Sequence, residues 1–206
     1  MAPSTYKAKE FKLSGLEGIS DKTLETHFAL YQGYVKNTNM LNEQIMEKIQ
    51  KGATGSKDPA YAELTRHLGF EYGGMVLHEY YFENLAPKGK GSPARELTEA
   101  LKNSFGDFEK WKQAFVAVGE MRGVGWAILY QDPATGRLSN HWVALHQNGV
   151  PSGFKPIVVM DVWEHAFVLD FTATGRSKYI EAFFANVNWE PINRRLSNPA
   201  ALRAVA

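Results

Sequence analysis

The sequence predicts an α+β protein with a helical N-terminal half, a helical hairpin, and a C-terminal α/β half containing a small three-stranded antiparallel sheet. Apolar residues of the first half recur with helical spacing, whereas β-branched apolar runs and turn-rich segments appear only beyond residue 124. The 206 residues suffice for one large domain or two small ones. The basic, glycine-rich segment KGKGSP marks the boundary between an N-terminal domain, 1–88, and a C-terminal domain, 89–206.

Three helical segments are expected in the first half. Ser20 is a residue type that caps helices, and the pattern after it places His27 and several aromatic residues on one side. A second periodic stretch ends at Gly52. Asp58, followed by a proline, then supplies a cap and a first helical position, and the helix that follows is expected to run toward Leu85.

The second half mixes helices with strands. A serine and a proline at 92–93 are expected to open one helix, and Asp107 is expected to cap the next. The tail returns to helix over Lys178–Asn186. Three apolar runs predict the strands of the sheet: Gly125–Tyr130, Leu138–His146 and Pro156–Val162.

Composition excludes several classes of function. The chain has no cysteine, so any metal is held by nitrogen and oxygen ligands. The net charge of +1, with acidic and basic residues interleaved, predicts no nucleic-acid partner. No apolar run is long enough to span a bilayer, which predicts no membrane partner. The start, MAPSTYKAKEFKLSG, lacks the pattern of a secretory signal, so we expect a cytoplasmic protein.

The segment DVWEHAF is the sharpest local signal for chemistry. It places Asp161 and His165 four residues apart, and the two can converge if a strand ends at Asp161 and a helix begins just after it. His27 and His78 lie in apolar, aromatic helical surroundings, where each imidazole needs partners for both ring nitrogens. A shared metal ion would satisfy them. The residues alone leave open a helical interaction protein whose histidines are hydrogen-bonded members of its core.

DVWEHAF resembles the DVWEHAYY signature of the iron and manganese superoxide dismutases. The resemblance continues in collinear segments along the chain: ISDKTLETHFALYQGYVKN, LHEYYFENLAP, FGDFEKWKQAF, GVGWAIL and NVNWE. It implies an oxidoreductase that converts superoxide to dioxygen and hydrogen peroxide. It also implies one metal ion per chain, iron in preference to manganese, and four ligands: His27, His78, Asp161 and His165.

The resemblance also implies groups around the ligands. His146 aligns with the family residue that hydrogen-bonds to metal-bound solvent, and Gln147 takes that place after a slip of one residue. A histidine there goes with iron or with tolerance of either metal. Gly74 stands where other relatives have a glutamine for the same task. Tyr34 matches the tyrosine that gates the substrate channel.

The spacing from His27 to Tyr34 departs from the family pattern. It is seven residues here and usually eight. Seven residues are almost two turns of a regular α-helix, about 20° from eclipsed, so both side chains share a face. The sequence therefore predicts a regular helix where most relatives carry a bulge.

Other matched positions concern the pocket and the oligomer. Trp126 and Trp163 match aromatic residues that wall the metal pocket, and Arg176 resembles an arginine that draws anions toward the channel. Glu164 matches a glutamate that reaches a metal-ligand histidine of a second subunit. The resemblance therefore implies a two-fold homodimer, and leaves open whether dimers pair into tetramers.

Two departures put full activity in question. The family has a histidine where this chain has Leu30 and a tyrosine where it has Phe167. In the family these two residues hydrogen-bond across the dimer interface beside the channel. The alternative is therefore a metal-binding, superoxide-dismutase-like protein with weak or no dismutase activity, because its channel and dimer interface are altered.

Overall fold

The computed structural model describes residues 5–55 and 57–196; the outer ends of the two expected domains lie outside this part. The helices are α1 Asp21–Gln50, α2 Pro59–Glu83, α3 Arg95–Phe105, α4 Phe108–Gly119, α5 Arg176–Ala185 and α6 Trp189–Arg195. The strands are β1 Gly125–Gln131, β2 Leu138–Ala144 and β3 Lys155–Asp161, in the order β2-β1-β3 with both pairs antiparallel. The predicted α+β class, with a helical hairpin and a three-stranded antiparallel sheet, is confirmed.

Helix α1 is one continuous element of 30 residues. The hydroxyl of Ser20 accepts a hydrogen bond from the Thr23 backbone N–H at 3.2 Å, as its residue type predicts. The second periodic stretch is the C-terminal part of this same helix and not a separate element. Every residue from 21 to 50 is α-helical, so His27 and Tyr34 share a face, as the seven-residue spacing predicts.

Helix α2 begins as expected and ends two residues early. The Asp58 carboxylate accepts hydrogen bonds from the Ala60 and Tyr61 backbone N–H groups at 2.9 and 3.3 Å. The helix stops at Glu83, and the next residue, Asn84, is fully buried. Its side chain donates to the Val159 carbonyl at 2.8 Å. This bond ties the end of the hairpin to the central part of β3.

The opening of α3 corrects the sequence prediction. The helix begins at Arg95 after Ala94, with no side-chain cap, and not at the serine and proline before it. The side chain of Asn193 in α6 accepts from the Ala94 N–H and donates to the Ser92 carbonyl, both at 2.9 Å. The segment that could have started a helix is thus held extended by α6, which begins within the segment NVNWE and lies far away in the sequence.

The sheet forms the centre of the second half. All seven residues of β1 are buried. Helices α3 and α4 pack on the β1 and β2 side, and α2 and α6 pack on β3. The contacts of α2 with β3 join the two halves into one core. Among the described residues, no helix is both long and apolar enough to cross a membrane.

Candidate metal centre

The four predicted ligands lie close together where the N-terminal and C-terminal halves pack against each other. His27 comes from α1 and His78 from α2, while Asp161 is the last residue of β3. His165 lies in the short 3₁₀ turn Glu164–Ala166 that follows the strand. One nitrogen or oxygen atom of each residue lies within 4.8 Å of all the others. A strand end and a helical turn thus place Asp161 and His165 as their spacing predicts.

The distances around Asp161 fit a shared ion. Its Oδ2 atom lies 3.0 Å from the Nε2 atom of His27, 3.1 Å from that of His165 and 3.6 Å from that of His78. Two donors at about 2.1 Å from one ion are about 3 Å apart at a right angle and about 4.2 Å apart when opposite. All three distances lie within this interval. The three imidazole nitrogens therefore lie around Oδ2 at distances that a shared metal ion allows, and all four atoms lie within 4.8 Å of one another.

His78 provides the test of whether this cluster suits a metal. Its Nδ1–H donates to the Gly74 carbonyl at 2.6 Å, so Nε2 carries the lone pair. Nε2 is buried and has no hydrogen-bond partner in the described part of the chain. Leaving such an atom unpaired costs about 1–3 kcal/mol. Burial, with the neighbouring His27, holds the pKa of His78 well below its usual value, and a neutral imidazole is the form that binds metal.

Asp161 is the acidic member of the cluster and is held from two other sides. Its Oδ1 atom accepts from the Trp163 backbone N–H at 2.8 Å, and its carbonyl accepts from the Tyr179 hydroxyl at 2.7 Å. These bonds orient Oδ2 toward the imidazoles. Burial alone would raise the pKa of Asp161, but the charges and hydrogen bonds of His165 and His27 keep it below its usual value. The carboxylate is therefore ionised, as a hard metal ligand must be.

His146 and Tyr34 form a hydrogen-bonded pair beside the cluster. The Trp126 indole N–H donates to Nδ1 of His146 at 3.1 Å, which places the ring proton on Nε2. Nε2 lies 2.8 Å from the Tyr34 hydroxyl oxygen, so His146 donates to Tyr34. Burial lowers the pKa of His146 to about 4, so the ring is neutral at neutral pH. The Tyr34 hydroxyl proton is left for another acceptor.

A tight turn aims His146 at the site. The strand predicted to reach His146 ends at Ala144, and Leu145 adopts a φ of 54°, a conformation uncommon outside glycine. The Leu145 carbonyl accepts from the Trp163 indole N–H at 3.4 Å. Beyond the turn, the His146 ring is buried and stacks on Trp163 with centroids 4.8 Å apart. Trp126 pairs with Asp161 across the sheet, so both predicted tryptophans line the site.

Two glycines in α2 make room for this pair. A Cβ atom on Gly74 would lie 2.6 Å from the Tyr34 ring, and one on Gly73 would lie 2.4 Å from the His146 carbonyl oxygen. A glutamine side chain at position 74 would therefore collide with Tyr34, whose hydroxyl group is hydrogen-bonded to His146. The absence of that glutamine and the presence of His146 thus go together. The residue predicted as the alternative, Gln147, is exposed, and its side-chain oxygen accepts from the His146 backbone N–H at 3.3 Å. Its side chain does not take the place of His146.

The expectation that Phe167 occupies a position at a dimer interface is wrong. Its side chain is 1% exposed and its ring stacks on Tyr179 at 5.3 Å, because the 3₁₀ turn directs this residue into the core. The next residue, Val168, is 42% exposed instead. Leu30 in α1 is 37% exposed, so only this one of the two departures lies at the surface.

Glu164 and Arg176 lie at the rim of the second half. Glu164 is exposed, and its role in a second subunit's site stays a prediction. The Arg176 guanidinium donates to the carbonyls of Met121 and Gly123 at 2.6 and 2.8 Å. Two of its nitrogens thus hold the loop between α4 and β1, and steering of anions by Arg176 also stays a prediction.

Two residues that contact the site were not predicted from the sequence. Tyr179 reaches the Asp161 carbonyl, and Gly73 contacts the backbone of His146. Both contacts depend on packing between distant elements, α5 on the end of β3 and α2 on the turn after β2. Neither residue carries a local pattern that could have shown this. A glycine pair within a buried helix is the one available hint of a close approach.

The fold and site define a class: a two-part α+β metalloprotein with a buried mononuclear centre of three histidines and one aspartate. Residues 6–86 match the family model of the iron/manganese superoxide dismutases, alpha-hairpin domain. Residues 93–195 match the model of the same family's C-terminal domain. The chain belongs to the iron/manganese superoxide dismutase family.

Named relatives agree in family and differ in metal. The chain is 36% identical over 187 residues to superoxide dismutase [Fe] of Aquifex aeolicus, covering 89% of this chain and 87% of the relative. It is 36% identical over 173 residues to superoxide dismutase [Mn] of Haloarcula marismortui, covering 84% and 82%. It is 35% identical over 182 residues to superoxide dismutase [Mn/Fe] of Aeropyrum pernix, covering 86% and 83%. The cofactor class is therefore iron or manganese.

Proposed function

We propose that this chain is a superoxide dismutase whose single iron or manganese ion is held by His27, His78, Asp161 and His165. The observation that carries the proposal is the buried Nε2 lone pair of His78, which faces the other three ligands and has no hydrogen-bond partner among the described residues. A core histidine of a helical interaction protein would have found one. When bound, the ion supplies one-electron chemistry that oxidises one superoxide to dioxygen and reduces a second to peroxide.

The residues beside the ion position protons and exclude water. Reduction of superoxide to hydrogen peroxide consumes two protons. His146 donates to the Tyr34 oxygen, so the Tyr34 hydroxyl is free to give its own proton to a neighbouring acceptor. Trp163 stacks on both His146 and His165 and, with Trp126, forms the apolar wall of the site. Polar groups are thereby confined to the few that the chemistry uses.

We also propose that this protein is more active with iron than with manganese. His146 supports it, because a histidine at this position of the family goes with iron or with tolerance of either metal. Protein freed of metal and reconstituted with iron or with manganese should be more active with iron. Higher activity of the manganese form would reverse the preference while leaving the ligand assignment intact.

We further propose that the protein forms a homodimer and is located in the cytoplasm. Glu164 is exposed next to the ligand His165, and Leu30, Val168 and Leu169 leave apolar surface uncovered. A two-fold pair would cover such a surface. Sedimentation velocity of the metal-loaded protein distinguishes monomer, dimer and tetramer, and cell fractionation tests the location.

Metal analysis and a competition assay test the function. Protein purified without chelator should carry close to one iron or manganese per chain, and it should compete with cytochrome c for superoxide. A stable, metal-free protein would refute the metal centre. Full metal content without competition would instead favour the alternative, a dismutase-like protein with little activity, for which the exposed Leu30 is the supporting observation.

Replacing Tyr34 by phenylalanine is expected to leave the metal bound and to slow turnover. Phenylalanine keeps the ring that packs 5.1 Å from His78, but removes the hydroxyl that His146 holds. Loss of a proton-donating group should reduce the rate about tenfold or more at high superoxide concentration. Stopped-flow decay of superoxide measures this. Tyr72→Phe, at an exposed site in α2, is the matched control. Loss of metal from the Tyr34→Phe protein would contradict the assignment.

A further inference from the structure

A buried carboxylate lies outside the ligand set. Glu71 in α2 is 5% exposed, and its Oε1 atom lies 2.9 Å from Nε2 of His67. Its other oxygen, Oε2, is buried without a hydrogen-bond partner in the described residues. Burial of a charge with one oxygen unpaired is costly, and an apolar side chain would fill the same space without that cost. Packing alone therefore does not account for a glutamate here.

Glu71 belongs to a row of residues that leads to the metal centre. His67, Glu71, Gly74 and His78 follow one another at spacings of four, three and four, so they lie along one face of α2. This face meets α1 where Gly74 contacts the Tyr34 ring, and it ends at the ligand His78. The row rises about 16 Å along the helix. Glu71 is thus one turn from the contact with Tyr34.

The effect of Glu71 on the pKa of Tyr34 also indicates that the two residues lie near each other. Burial raises the pKa of Tyr34, and the negative charges of Asp161 and Glu71 raise it further. Phe70 packs against both the Tyr34 ring and the His146 ring, at 6.1 and 4.6 Å between centroids. Glu71 therefore lies near the Tyr34–His146 pair without being bonded to it.

The other end of the row opens to solvent. The His67 side chain is 46% exposed and lines a cleft of about 790 Å³ between the far ends of α1 and α2. Leu41, Gln44 and Lys48 form the α1 side of this cleft. His67 thus connects water in the cleft with a carboxylate that is itself shielded from water.

We propose that His67 and Glu71 form a proton relay from this cleft to Tyr34. The inference rests on the proposed function. A proton from bulk water adds to the His67 ring and passes from Nε2 to Oε1 of Glu71. The carboxyl group then turns and gives the proton to the Tyr34 oxygen through a bridging water, because the two groups are not in direct contact, while Tyr34 gives its own proton to the reduced substrate. The His67 ring returns to its starting tautomer by exchanging its protons with water of the cleft, Glu71 and Tyr34 end as they began, and no electron passes through the relay.

Exchange of the Tyr34 hydroxyl proton tests the relay without turnover. The protein is loaded with zinc(II), a redox-inactive ion that accepts nitrogen and oxygen ligands. Exchange with deuterated water is followed through the isotope shift of the Tyr34 ¹³Cζ signal in NMR spectra. Glu71→Gln keeps the size of the side chain but carries no transferable carboxyl proton, so exchange should slow about tenfold or more. His67→Gln, at a half-exposed site that tolerates change, should act in the same direction.

Glu109→Gln is the matched control, because it removes the same charge from an exposed helical position, in α4, that does not line the cleft. It should leave the exchange rate at the wild-type value. In iron-loaded protein, the slower turnover of Glu71→Gln should recover when a small acid such as imidazolium is added, which structural damage would not do.

Wild-type exchange rates in both folded variants, Glu71→Gln and His67→Gln, would overturn the relay. The proposed function can fail separately. A wild-type protein without dismutase activity, in which Glu71→Gln still slows exchange, would refute the function and leave the path from the cleft to Tyr34 standing.

Discussion

Replacing His78 by alanine is expected to give a folded chain that retains less than about a tenth of the wild-type metal content. His78 contributes the one ligand atom with no alternative partner among the described residues, whereas His27 and His165 also contact Asp161 directly. Without His78 only three of the four predicted donors remain, next to a cavity in the core. Plasma emission spectrometry of the purified variant measures the metal.

A second histidine offers the control for this experiment. His141 on β2 is partly buried and hydrogen-bonds the Ser139 hydroxyl at 2.8 Å, away from the metal centre. His141→Ala should keep its metal. Chelator should lower the melting temperature of wild type and of this control, because bound metal stabilises the folded state, and should have little effect on His78→Ala. Stoichiometric iron in purified His78→Ala would contradict the ligand assignment.

The long helices could be predicted because their signals are local. Ser20 and Asp58 cap α1 and α2 with their own side chains, as their residue types indicate. The α3 start could not be predicted, because Asn193, 99 residues from Ala94, holds the segment before the helix. Local chemistry thus determined the elements, and tertiary contacts determined several of their ends.

The residues of the candidate metal centre also fall into those that the local sequence predicts and those that it does not. The spacing of Asp161 and His165 allowed two ligands to be paired, but only the family resemblance joined His27 and His78 to them. The turn at Leu145, which aims His146, has no signal in the sequence because leucine rarely adopts a positive φ. Phe167 was misplaced because a short 3₁₀ turn decides which of two adjacent residues faces the core.

Alanine at Gly74 is expected to destabilise the protein by about 1–3 kcal/mol and to damage the site at the same time. Its Cβ atom would lie 2.6 Å from the Tyr34 ring, and the nearest atoms belong to the ring itself and not to a flexible chain end. Tyr34 must then move, which breaks its hydrogen bond to His146. Urea unfolding of the metal-loaded variant measures the stability, and superoxide decay measures the lost turnover.

Gly69 in the same helix provides the control for the Gly74→Ala substitution. A Cβ atom there has no neighbour within 4 Å, so Gly69→Ala should stabilise the protein by about 0.4–1 kcal/mol through the lower entropy of the unfolded chain. The two identical substitutions, five residues apart in α2, should therefore shift the urea midpoint in opposite directions. If both stabilise the protein and the Gly74→Ala variant keeps full turnover, Tyr34 does not depend on the space that Gly74 leaves. The fixed position of the Tyr34–His146 pair would then need another cause.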